Sequence, residues 1–179
     1  MAGFLRRRVR HERPGFQLYG AAVTAARAPF LYATLGVPDT LDGRFDAIAL
    51  HVYLVVRRLD SEGEVGKALA QAVFDAMFLD MDINLREMGV GDLSVGKRNR
   101  AMWEAFHGRC SAYAAAWDDE AGLRAALERN VWRGSAAPAG SGPALVRLAW
   151  AQAGCLAGQA LEALLRGEVR FLAAEEAAR

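Results

Sequence analysis

Gln71–Arg109, QAVFDAMFLDMDINLREMGVGDLSVGKRNRAMWEAFHGR, decides the fold. Phe74, Met77, Phe78, Met81, Leu85 and Met88 recur at helical spacing, the stripe one helix face needs in order to bury itself. Asp75, Asp80, Asp82, Asn84 and Arg86 occupy the positions between them, so the opposite face is polar and mostly acidic. Gly89 and Gly91 suit a helix end, because glycine takes positive φ without steric cost. A second helix should then start at Asp92 or Ser94 and carry Met102, Trp103, Phe106, Cys110 and Tyr113 towards Trp117.

Outward from this hairpin the chain reads as helix after helix. Upstream, Gly43–Leu59 is apolar nearly all round, which places it in the middle of a bundle, with Asp39, Thr40 or Asp42 available as its cap. The Phe74–Met88 stripe is expected to pack against it, with Phe78 in the core. Shorter helices are expected over Phe16–Arg27, closed by Ala28-Pro29, and over Phe30–Leu35. Downstream, Asp118-Asp119 opens a helix through Trp132, with acid at the N-terminus as the helix dipole prefers. Gly134–Pro143 (GSAAPAGSGP) reads as the clearest loop, and Ala144 to about Leu165 as the last long helix. The expectation is all-α: a single compact bundle of about seven helices, with one long central amphipathic helix. Residues 1–14 read as a basic flexible segment and residues 15–179 as the domain, with a loop at 134–143.

Composition narrows the function. The 22 Lys+Arg against 21 Asp+Glu leave a net charge of +1, without the basic excess of a DNA-binding domain. The longest apolar run, Ala47–Val56, is broken by His51 and falls short of the roughly 18 residues a membrane span needs. Cys110 and Cys155 have neither metal-site nor CxxC spacing, and a cytoplasmic location with reduced thiols follows.

Each candidate chemistry is incomplete. GDLSVGK (Gly91–Lys97) has the skeleton of a phosphate loop, but a helix precedes it and Arg98 stands where Ser or Thr should hold magnesium. Glu104 and His107 form one E-x-x-H pair, whereas a di-iron bundle needs two pairs and two more carboxylates. His51 reads as a core imidazole bonded to a carbonyl or carboxylate. Neither a catalytic residue nor a metal or cofactor site is expected. Met77, Met81, Met88 and Met102 read first as core and second as an adaptable surface for apolar segments.

The stretches Phe45–Leu59, Gly66–Phe78 (GKALAQAVFDAMF), Leu85–Lys97 (LREMGVGDLSVGK) and Leu123–Trp132 (LRAALERNVW) resemble the ubiquinol–cytochrome c chaperone family. Similarity extends to LGVPDT (Leu35–Thr40) and LLRGEVRF (Leu164–Phe171), and the REMGV turn is its most specific piece. The resemblance implies a non-enzymatic assembly factor of the cytochrome bc1 complex whose client is newly made cytochrome b. It also implies a peripheral place at a bacterial inner membrane. Eukaryotic relatives are associated with ribosomes and with a small partner protein. The rival readings are a helical metal-dependent enzyme using a carboxylate/His site, and an interaction domain with another client. Charge and position make Asp75, Asp82, Arg86, Lys97, Arg98 and Arg100 the candidate partner contacts. Arg6, Arg7, Arg8, Arg10 and Arg13 are the candidate contacts for membrane or RNA.

Overall fold

Thr40 starts the helix around which the others assemble. Its Oγ1 accepts from the Gly43 N–H at 3.1 Å, and α3 (Leu41–Asp60) follows with Asp42 in its first turn and Arg57 and Arg58 in its last. That order of charge complements the helix dipole. In the computed structural model, backbone is described for residues 2–179, and side chains except those of residues 2–10, Asp92 and Leu93. The described helices before α3 are α1 (Ala2–Ala26) and α2 (Pro29–Ala33). After it come α4 (Gly63–Glu87), α5 (Asp92–Ala115), α6 (Glu120–Val131), α7 (Ser141–Ala157), α8 (Leu161–Leu165) and α9 (Ala174–Ala177). Among the described residues there is no strand. The all-α reading therefore holds, and no described helix is long and apolar enough to cross a membrane.

The element in the middle is α3, which packs on α1, α4, α5, α6 and α7. The amphipathic α4 touches α1, α3 and α5, and leaves Leu79 and Ile83 exposed on its outer side. This corrects the expectation that α4 is central: its polar positions need water on one side, while α3 buries residues around nearly its whole circumference. The stripe divides accordingly. Met77, Met81 and Leu85 are buried, Phe74 and Phe78 half-buried against the core, and Met88 is exposed. Phe78 is thus at the edge of the core and not within it. Gly15 lets α1 lie directly on α4, since a Cβ there would sit 2.7 Å from the Ala72 backbone.

The REMGV turn has a structural explanation. Gly89 adopts φ +77°, its N–H donates to Arg86 O at 2.9 Å, and Val90 N–H donates to Leu85 O at 3.1 Å. These are the paired bonds of a Schellman motif, which satisfies carbonyls that the helix end leaves free. The cap of α5 is Gly91 and not Asp92 or Ser94, and it makes no side-chain hydrogen bond. Of the Asp118-Asp119 pair expected to open α6, Asp119 is the cap, accepting from Ala121 N–H at 3.1 Å.

Three boundaries differ from the sequence reading. The first helix begins at Ala2, upstream of Phe16, with Pro14 inside it. The second is the start of α7 at Ser141, which shortens the expected loop because Pro143 falls in a first turn whose N–H groups lack intrahelical acceptors. The expected single helix to Leu165 instead stops at Ala157. Arg58 reaches across from α3 and donates to Leu156 O and Gln159 O, both at 3.0 Å, so α7 ends on a charged cap.

Beyond α8 the chain is extended and lies along α7. Gln152 exchanges two hydrogen bonds with the Leu172 backbone at 2.8 and 2.9 Å, and Gln159 does the same with Arg170. Two amide side chains, two turns apart, replace the strand partner this segment would otherwise need.

Candidate functional site

The four methionines at 77, 81, 88 and 102 line one cavity of about 440 Å³ at the junction of α1, α3, α4 and α5. Positions 77, 81, 85 and 88 of α4 are three or four residues apart, so they form a continuous row on one face. Met102 and Ala105 of α5 close one side, and Phe45, Ile48 and Leu41 of α3 the other. Met77 is fully buried, while Met88 is 51% and Leu41 58% exposed, so the floor runs from the core out to solvent. Met77 and Met81 are core, as first expected, whereas Met102 is half-buried against the core and Met88 is exposed.

The rim is charged. Arg27, Arg44, Arg98 and Arg133 stand on it with Asp42 and Asp80. Both acids are engaged: Tyr19 Oη donates to Asp80 at 2.6 Å, and Arg133 Nη1 donates to Asp42 at 2.8 Å. Burial, and then the bond to Asp80, push the Tyr19 phenol well above its usual range, so it stays a donor. Arg44 pairs with the exposed Asp39 at 2.6 Å.

Arg133 is held from beneath by Asp46, a carboxylate with no exposed surface on α3. Its Nε and Nη2 donate to Asp46 at 2.6 and 3.1 Å, while Arg109 Nη2 of α5 donates at 2.5 Å. Burial raises the Asp46 pKa, and the hydrogen bond of Arg133 and the charge of Arg109 oppose that rise. The Arg109 guanidinium also lies 5.3 Å from the Phe45 ring centroid. Arg133 adopts φ +49°, sparsely populated for a residue with a Cβ, and two carboxylates hold it there. Periodicity does not single out Asp46 because α3 reads as apolar, although one acid inside such a run is itself a signal of a buried partner.

The charged positions singled out from sequence are dispersed. Arg98 alone among them lines the groove. Asp82 accepts from Arg86 Nε and from Asn99 Nδ2 of α5, each at 2.7 Å, and the Arg86 bond holds its carboxyl below the usual range. Asp75 accepts from Gln71 at 2.8 Å. Arg100 pairs with Glu104 at 3.0 Å, and Lys97 is exposed on the same helix. The side chains of Arg6, Arg7, Arg8 and Arg10 lie outside the described residues, and Arg13 is exposed.

The remaining candidates have structural partners. His51 is buried, its Nδ1 2.8 Å from Ala47 O and its ring 5.7 Å from Phe171, and burial lowers its pKa. His107 sits among aromatics, with ring centroids 4.2 Å from Trp103 and 5.4 Å from Phe74. Burial pushes the Cys110 thiol up to about 12, which leaves it protonated and unreactive. Gly91–Lys97 forms a helix start preceded by a helix.

The described residues thus form an all-helical bundle with an apolar groove and an arginine rim. The particular family follows from comparison. Residues 33–171 match the ubiquinol-cytochrome C chaperone family, and this chain belongs to it. The crystal structure of the Cbp3 homolog from Brucella abortus is 34% identical and superposes with a TM-score of 0.82 over 97% of this chain and 96% of that one. The Xenopus laevis ubiquinol-cytochrome-c reductase complex assembly factor 1 is 27% identical over 116 residues, 64% of this chain and 58% of that protein. The Mus musculus factor of the same name is 27% identical over 115 residues, 64% of this chain and 39% of that protein. The chain thus spans between two fifths and three fifths of those relatives' lengths.

Proposed function

We propose that this protein is a non-enzymatic assembly chaperone of the cytochrome bc1 complex whose client is newly made cytochrome b. The observation that carries the reading is family membership across residues 33–171, with a fold shared over nearly the whole chain by the Brucella abortus homolog. The groove supports it, because a floor of flexible methionines accommodates apolar segments of varied shape. Cytochrome b exposes apolar helices before its haems and partner subunits are in place. A chain whose described helices do not span a bilayer reaches the parts that emerge from it. The work is done at the membrane periphery, where Arg6, Arg7, Arg8, Arg10 and Arg13 contribute attraction to anionic headgroups. Contact with the ribosome or a small partner protein belongs to the same reading. Deleting the gene should lower spectroscopically detected cytochrome b selectively, and tagged cytochrome b should co-purify with this protein. Normal haem-loaded cytochrome b in the deletion strain would overturn the assignment.

A further inference from the structure

We propose that the methionine groove is the client site, and that it takes an apolar helical segment bearing carboxylates; this deepens the chaperone reading and rests on it. The apolar part of the requirement comes from the floor, where Met88 and Leu41 stay exposed beside buried Met77 and Met81. Large exposed apolar side chains rimmed by polar ones mark an interaction surface. The charge requirement comes from the rim. Asp42 is paired with Arg133 and Arg44 with Asp39, which leaves Arg27 and Arg98 facing Asp80 alone among the rim charges described. The groove therefore offers unmatched positive charge, and guanidinium forks match carboxylates in geometry as well as sign.

The helical requirement comes from the walls. An extended segment needs backbone partners such as Gln152 and Gln159 give to residues 170–172, and the one described side-chain amide lining the groove, Asn84, already donates to Asp80 O at 2.6 Å. Walls made only of helices present side-chain ridges, which accept another helix through anchors at i, i+3, i+4 and i+7. Asp46 fixes Arg133 on the rim, so the groove keeps its shape before the segment arrives and little is lost in ordering it.

The test uses the full chain labelled at its methionine methyl groups. Two 14-residue amphipathic peptides, each with leucines at i, i+3, i+4 and i+7, differ only in carrying two Glu or two Lys at the polar border. The Glu peptide should shift the methyl resonances of Met77, Met81, Met88 and Met102 and bind about tenfold or more tightly than the Lys peptide at low salt, the gap closing as salt screens it. The double variant Arg27→Glu/Arg98→Glu, with an unchanged melting temperature, should reverse the preference. Equal binding of both peptides, or methyl shifts caused by oleate and by neither peptide, would overturn the proposal. Capture of cytochrome b separates the two levels. Wild-type levels of capture by the double variant would sink the groove and leave the chaperone reading intact. Selective peptide binding with normal cytochrome b in the deletion strain would do the reverse.

Discussion

Arg109 Nη2 lies 2.5 Å from Asp46 Oδ1, joining α5 to α3 across 63 residues of sequence, and neither side chain is more than 9% exposed. Removing one member strands the other charge in a medium that solvates it poorly. Asp46→Ala should therefore cost about 3–5 kcal/mol in denaturant unfolding, the usual result of breaking a buried pair. Because Arg133 loses its anchor too, the groove rim should loosen, which faster amide exchange around residue 133 would report. An unchanged unfolding midpoint would contradict this account.

The two ends of the α4 stripe should respond differently to truncation. Met77→Ala removes a side chain with no exposed surface and should cost about 2–5 kcal/mol. Phe78→Ala should cost less than the about 3–5 kcal/mol typical of a core aromatic, because Phe78 is only half-buried. Thermal melts of both variants check the order.

Two helical glycines predict opposite signs. A Cβ on Gly66 would sit 2.1 Å from the Leu59 carbonyl oxygen, so Gly66→Ala forces the α3–α4 turn apart and should cost about 1–3 kcal/mol. Nothing lies within 4 Å of a Cβ on Gly108 in α5, so Gly108→Ala should stabilise by up to about 1 kcal/mol through helix propensity. Paired denaturant curves decide.

His51 makes stability depend on pH. Burial lowers its folded pKa below the ordinary 6.5, so the unfolded chain binds a proton that the folded one refuses. The sign follows: its contribution is complete above 6.5 and is lost as pH falls from there towards the lower folded value. The melting temperature should drop between pH 7 and 5, and His51→Leu should flatten that slope. A wild-type slope retained in the variant would place the titration elsewhere.

Much of this molecule was determined locally. Thr40 and Asp119 as caps, the Gly89 turn and the apolar stripe of α4 are legible because each depends on residues within about one or two helical turns of one another. The positions of Met88 and of Asp46 show where local reading ends. Periodicity assigns Met77 and Met88 to one face, yet only the packing of α1, α3 and α5 decides that the first is sealed and the second faces solvent. Likewise Asp46 is an ordinary helical residue until Arg109 and Arg133, 63 and 87 residues away, are folded against it. A chain's local chemistry selects its helices and their apolar faces. How far each face is covered, and which charges meet inside, depends on burial by distant segments, and that energy exists only once they have docked.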